Sequence, residues 1–157
     1  MNTQIRILVV VYSLTLCWGA SYSLQAAEAG GILDEIRAAM ADRDLDVAKA
    51  KLAEAAKVSG SEDFDTQRQR LQLLYEYLEG FWKSVDESAS SLKAVEELMI
   101  GDVRVAVVEY TPGLLVLRVK GENRRYTVKT LPAKVALTLA ERVLKPDAPQ
   151  NKVFFGA

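Results

Sequence analysis

The sequence predicts an α+β protein in which a helical hairpin and a long helix precede a small antiparallel β meander, closed by a C-terminal helix. Three observations support this prediction. Apolar residues recur every three or four positions as far as Leu92, which is typical of helices. After Val95, apolar stretches alternate with turn sequences that contain glycine, which is typical of strands. Helical spacing then returns after Pro132.

Residues 1–26 have the pattern of a secretory signal peptide. Arg6 supplies a positive charge, residues 7–18 are mostly apolar, and small residues follow. The apolar run is about twelve residues long, whereas a helix that spans a bilayer needs roughly twenty. We therefore expect export to the periplasm, the cell envelope or the medium, with cleavage near Ala26 or alternatively near Ala20.

The composition excludes the commonest catalytic groups. The sequence contains no histidine, and its single cysteine, Cys17, lies in the predicted signal peptide. Imidazole and thiol groups supply most activated nucleophiles, general bases and transition-metal ligands. We therefore expect no catalytic site, no cofactor and no disulfide in the exported chain. A hydrolase that works without histidine is the remote alternative, with Ser84 or Ser88 near Lys83 as its unsupported candidates.

Three aspartates in the helical half are similar to the start of a calcium-binding loop. Asp42, Asp44 and Asp46 have the required spacing. The sixth position of such a loop needs glycine and the twelfth needs glutamate, but Val47 and Ala53 stand there. We therefore predict no metal site, and helix capping explains the same aspartates.

Residues 27–95 form the predicted helical domain, which begins with two short helices. Their apolar spacing over residues 32–58 is interrupted at Arg43-Asp44, as in a tightly connected αα-hairpin. The second helix has a small-large-small series at Ala48, Leu52 and Ala55. On this series, residues 32–60 resemble a single tetratricopeptide-like hairpin. No second copy follows at the period of about 34 residues, so a generic helical hairpin is the preferred interpretation.

The third helix is predicted from Asp65 to Lys93, a length of roughly 42 Å. Its apolar face comprises Leu71, Leu74, Tyr75, Leu78, Phe81, Trp82, Val85, Ala89 and Leu92. The aromatic residues Tyr77, Phe81 and Trp82 have two interpretations. They pack in the core, or they form a groove for a partner or a surface on which a sugar stacks, and Tyr77 is expected to be the most exposed. The far end of this helix is expected to pack on the second half of the chain or to form a homodimer.

Residues 96–145 form the predicted β domain. Turn sequences separate a short edge strand at Leu98–Ile100 from strands at 103–110, 114–120 and 124–130. One face of the sheet is expected to hold Val105, Val107, Leu115, Leu117 and Val119, and the other Ala106, Val108, Leu114 and Val116. Because both faces are largely apolar, we expect the long helix or the C-terminal helix to cover the sheet.

The closing helix is predicted to begin at Leu131-Pro132 and to end at Lys145-Pro146. A meander closed in this way resembles the small SH3-like barrels over residues 98–144, although the aromatic groove of SH3 peptide binders is not identifiable. The whole arrangement resembles uncharacterised secreted bacterial proteins, a resemblance that implies no activity. In the tail, residues 146–157, we expect Val153-Phe154-Phe155 to dock on the protein or add an edge strand, with partner recognition as the alternative.

Charge is divided along the chain. Residues 28–100 carry nine basic and sixteen acidic side chains, whereas residues 101–145 carry nine basic and four acidic ones. The candidate interaction residues of this basic half are Arg118, Lys120, Arg124, Arg125 and Lys129. These residues form a solvated face, or they bind an anionic glycan or a lipid surface. Nucleic acid is not expected, since the chain is exported and acidic overall.

These observations predict a protein-interaction or scaffold module of the periplasm or cell envelope that is not an enzyme. A binder of anionic glycan or membrane surface is the alternative, and the histidine-free hydrolase comes last. A protein is the expected partner.

Overall fold

The structure, a computed structural model, describes residues 30–144. The predicted signal peptide and the predicted docking of Val153–Phe155 lie outside these residues. The helices are α1 (30–41), α2 (Leu45–Ala55), α3 (Glu62–Ser91) and α4 (Ala133–Val143). The strands are β1 (Glu97–Ile100), β2 (Val103–Thr111), β3 (Leu114–Val119) and β4 (Glu122–Tyr126). The predicted α+β class is confirmed, with helices first, then the meander and a last helix.

The described chain forms two compact units. The first contains residues 30–41 and 46–72, and the second contains residues 42–45 and 73–144. Helix α3 therefore contributes its first part to one unit and its later part to the other.

The first unit is built from α1, α2 and the beginning of α3. Its buried apolar side chains are Ile32, Leu33, Ile36, Ala39, Met40, Ala48, Leu52, Ala55, Phe64 and Leu71. Lys51 Nζ lies 2.7 Å from a carboxylate oxygen of Glu35, which links α2 to α1. Arg37 Nη2 donates to Gln67 Oε1 at 2.7 Å, which links α1 to α3. The predicted hairpin with its break at Arg43-Asp44 is confirmed.

Helix α3 begins after Ser61, whose hydroxyl accepts a hydrogen bond from the backbone N–H of Phe64 at 3.2 Å. Its 30 residues span about 45 Å, so the prediction of one long helix is confirmed, with a start three residues earlier than expected. The expected burial of Leu74 is wrong, because its side chain is 47% exposed. Leu74 lies three residues after Leu71, which places it about 60° away on the helix surface, at the margin of the apolar stripe.

The sheet is an antiparallel meander with the strand order β1-β2-β3-β4. The turn between β3 and β4 is Lys120-Gly121, both with positive φ (51° and 90°), as in the tight hairpins that match strand twist. Because this turn is shorter than expected, β4 begins at Glu122 and not at Arg124. The predicted extension of the strand to Thr130 is wrong. Tyr126 pairs with Leu115, near the start of β3, so later residues have almost no strand to pair with and form a turn.

The core of the second unit lies between one face of the sheet and the helices α3 and α4. It contains Val85, Ala89, Leu98, Val105, Val107, Leu115, Leu117, Leu131, Val135, Ala136, Leu139 and Ala140. Leu117 and Leu139 are fully buried. The predicted face with Val105, Val107, Leu115 and Leu117 is confirmed, and Val119 packs at its edge. Helices α3 and α4 both cover this face of the sheet. Such a cover was expected, because the strands are largely apolar.

Candidate functional site

The second unit has an apolar cleft beside its core. The cleft is lined by Trp82, Val85, Asp86, Ala89, Tyr110, Gly113, Leu114, Leu115, Tyr126, Val128, Leu131 and Leu139. Its cavity volume is about 40 Å³, and its empty space is about 360 Å³ when the part open to solvent is included. Sites for cofactors and drug-sized ligands typically enclose roughly 300–1,000 Å³ and bury most of the ligand. Since the cavity is well below this range, its size suits the tip of a side chain.

A β-bulge places Tyr110 in this cleft. The register between β2 and β3 shifts between Val107 and Glu109, so Tyr110 pairs with Leu115 on the core face. Strict alternation after Val107 would have put Glu109 on the core face and Tyr110 on the other. The bulge reverses this and brings the phenol to α3, where its O–H donates to a carboxylate oxygen of Asp86.

The Tyr110–Asp86 pair is the polar feature of the cleft. Burial, together with the hydrogen bond to Asp86, raises the pKa of Tyr110 to about 12. The phenol therefore stays protonated at neutral pH and acts as a fixed hydrogen-bond donor. A general acid or base works best with a pKa near the working pH, so this group is poorly suited to proton transfer.

Trp82 forms one wall of the cleft and is held from two sides. The ring of Phe81 meets it edge-on, with centroids 5.3 Å apart. The guanidinium of Arg43 lies 5.2 Å from its ring centroid, a cation–π contact. Arg43 Nη1 also donates to the backbone oxygens of Val128 at 3.1 Å and Leu131 at 2.6 Å.

Core packing, one of the two interpretations of the aromatic candidates, applies to Phe81 and Trp82. Phe81 and Trp82 are half-buried against the core, and Trp82 also lines the cleft. Tyr77 is half-buried and is not among the residues that line the cleft. Sequence reasoning missed Arg43, because its partners lie about 40 to 90 residues away in the chain.

The basic candidates are exposed but do not share one face. Arg118 pairs with Asn123 and Arg125 pairs with Val116, so both arginines lie on the face opposite the core and are diagonal neighbours. Arg124 pairs with the core residue Leu117 and therefore belongs to the other face. Lys120 lies in the turn between the strands.

Several of these basic side chains already form hydrogen bonds or ion pairs with other side chains of the same chain. Arg118 Nε donates to Asn123 Oδ1 at 3.0 Å, and Arg124 Nη2 lies 3.5 Å from a carboxylate oxygen of Glu122. Lys129 Nζ donates to Asp44 Oδ2 at 2.6 Å, and this hydrogen bond raises the pKa of Lys129. The second unit also contains the acidic residues of α3 after position 72, so the charge division along the chain does not follow the division into units.

Glu96 connects the loop before β1 to the last helix. One carboxylate oxygen accepts from the backbone N–H of Lys93 at 3.0 Å, and the other accepts from Arg142 Nη2 at 2.9 Å. The backbone hydrogen bond from Lys93, aided by Arg142, lowers the pKa of Glu96 below the usual 4.5. A carboxyl group whose pKa is lower in the folded state stabilises the fold above its unfolded pKa, and this contribution disappears as the pH falls through the folded value.

We expect Glu96→Gln to lower the free energy of unfolding at pH 7, with a difference from the parent that shrinks as the pH falls below about 4.5. Urea titrations of both proteins between pH 2 and pH 7 measure this difference. Glu97→Gln is the matched control, because Glu97 forms a longer, exposed pair of 3.4 Å with Arg104 and is expected to matter little. A pH-independent deficit for Glu96→Gln would contradict the assignment.

The serines considered for a hydrolase, Ser84 and Ser88, are both buried in α3. Ser84 Oγ donates to the backbone oxygen of Gly80 at 3.0 Å, a common arrangement for helical serines. Ser88 is 1% exposed, whereas Lys83 is exposed to solvent. A nucleophile and its activating base need to be within hydrogen-bond reach and open to substrate, which a buried Ser88 is not.

Within residues 30–144, no cluster of three or more carboxylate, histidine or cysteine side chains is placed to hold a metal ion. The helices of this range are also too short or too polar to cross a membrane. Comparisons with protein-family models, with curated proteins and with solved structures found no match. The geometry of the cleft is therefore the basis on which its function is inferred.

Proposed function

We propose that this chain is a non-enzymatic protein-binding module of the periplasm or cell envelope, and that the cleft of its second unit holds an anchoring side chain of the partner. The observation that supports this most is the shape of the cleft. It is small and mostly apolar, with a cavity volume of about 40 Å³. Interfaces between proteins draw much of their affinity from a few apolar side chains that fill such pockets while the surrounding surface excludes water.

The rim of the cleft adds specificity. The carboxylate of Asp86 is exposed and accepts the Tyr110 hydroxyl. Within residues 30–144, no lysine or arginine forms an ion pair with Asp86. A partner segment with an apolar side chain next to a basic one would fill the cleft and place its cation at Asp86.

A peptide-display selection on the purified chain tests this proposal. We expect enriched peptides to combine an aromatic or branched aliphatic residue with a neighbouring lysine or arginine. Leu114→Arg, which blocks the cleft, should weaken their binding at least about tenfold, equal to roughly 1.4 kcal/mol. Leu137→Arg is the control for the same substitution at an exposed leucine of this unit that does not line the cleft, whereas Leu114 is half-buried. Failure to enrich peptides, or equal binding by both variants, would contradict the proposal.

A binder of anionic glycan or membrane surface is the second candidate. It is supported by the exposure of Arg118, Lys120, Arg124 and Arg125 on one hairpin. Salt-sensitive retention on anionic vesicles or on an acidic glycan, lost when Arg124 and Arg125 become glutamate, would favour it. Retention that is unchanged in that variant would exclude it.

A further inference from the structure

We propose that the cleft is occupied by a segment of the same chain, residues 152–155, which an external partner must displace. This inference rests on the cleft described above and deepens the proposed function, because it names the first ligand of the site. The segment follows helix α4 and lies outside the described residues.

The chemistry of the segment matches that of the cleft. Its sequence is Lys152-Val153-Phe154-Phe155, a cation directly followed by three apolar side chains. The cleft offers an apolar surface and, at its rim, the exposed carboxylate of Asp86. The residues just before the segment, 145–151, are mostly polar or proline.

The position of α4 brings the segment within reach. Leu139 lines the cleft, and Leu144, where the described chain ends, packs against the core cluster of the same unit. These two residues are five positions apart, about 7.5 Å along the helix. A chain of seven residues can span at most roughly 23 Å, so the length of residues 145–151 allows the segment after them to reach the cleft.

The size of the cleft limits how the segment binds. A cavity of about 40 Å³ admits the tip of one side chain, so the neighbouring apolar residues would cover the open part of the cleft. Attachment to the same chain gives such a segment an effective concentration of roughly millimolar, which lets a weak contact prevail over dilute competitors.

Photocrosslinking in the full chain tests the location of the segment. We expect p-benzoylphenylalanine in place of Phe155 to crosslink to cleft residues such as Trp82, Leu114 or Val128. The same probe in place of Ala148 is the control, and is expected not to label the cleft. An equal mixture of isotopically light and heavy chains should give crosslinks within one chain only. Crosslinks elsewhere, no crosslinks, or crosslinks between light and heavy chains would overturn the proposal.

A charge exchange tests the role of the rim. Asp86→Lys should lower the crosslink yield about two- to fivefold, the range for an exposed ion pair, and Lys152→Asp in the same chain should restore it. A yield that is insensitive to both substitutions would overturn the assignment of Lys152 to Asp86.

Peptide affinity separates this inference from the proposed function. If the segment occupies the cleft, the variant with Phe154→Ala and Phe155→Ala should bind the selected peptides about tenfold more tightly than the parent, because the competitor is gone. Equal affinity of parent and variant would overturn the self-occupied cleft and leave the proposed function intact. Loss of peptide binding by Leu114→Arg tests the proposed function alone.

Discussion

Leu117→Ala is expected to lower the free energy of unfolding by about 3 kcal/mol or more. Leu117 is completely buried at the centre of the second unit, between β2 and β4 and under the helices. Removing most of its side chain loses the transfer free energy of the deleted groups and leaves a cavity that the rigid sheet fills poorly. Hydrogen exchange should show the loss of protection concentrated in the sheet and α4.

Leu137→Ala provides the comparison for this prediction. Leu137 lies on α4 in the same unit, but its side chain is 37% exposed. We expect its replacement to cost less than about 1 kcal/mol, since little apolar surface returns to water. Denaturant titration of the two variants measures both values. A loss for Leu117→Ala no larger than that for Leu137→Ala would show that the core is not where we place it.

Gly60→Ala is expected to destabilise the first unit by about 2–3 kcal/mol. A Cβ at residue 60 would lie 2.2 Å from Cδ1 and 2.8 Å from Cβ of Phe64, far inside van der Waals contact. Phe64 is 5% exposed and belongs to the first turn of α3, so its ring cannot swing into solvent without leaving the core. Overpacking of this kind forces side chains off their preferred rotamers or shifts the backbone.

Gly31→Ala is the matched control for Gly60→Ala. Gly31 is an exposed position in α1, and a Cβ there would contact nothing within 4 Å. Because alanine favours helix over glycine by up to about 1 kcal/mol, this change should stabilise the protein. Thermal and denaturant unfolding of both variants should show changes in the free energy of unfolding that have opposite signs. A Gly60→Ala variant as stable as the parent would contradict the packing of Phe64 against the backbone of Gly60.

The sequence predicted those elements that local chemistry determines. The apolar stripe of α3 and the glycine-containing turns at Gly101 and Gly113 mark structure within a few residues, and the structure agrees. The ends of strands were predicted less well, because they depend on pairing with a neighbouring strand. The last strand ends at Tyr126 because β3 begins at Leu114, a limit that the alternation over residues 126–130 does not reveal.

The candidate site depended on contacts that the sequence does not show. The bulge before Glu109 turns Tyr110 towards Asp86, and no local pattern specifies the pair. One signal was present, since strict alternation would have placed the charged Glu109 on the apolar face with Val105 and Val107. A charge at a core position of a strand is a reason to expect a bulge. Arg43 gave no comparable signal, because its ring and carbonyl partners come from α3 and the turn after β4.

We infer that this protein acts by holding an apolar side chain of a partner in the cleft of its second unit. An NMR titration of the isotope-labelled full chain with a selected peptide tests it most directly. We predict that the amide signals of Tyr110, Gly113 and Leu115 shift during the titration, while those of Ala48 and Leu52 in the first unit stay in place. Shifts confined to the first unit or to the Arg118–Arg125 hairpin, with none in the cleft, would contradict the claim.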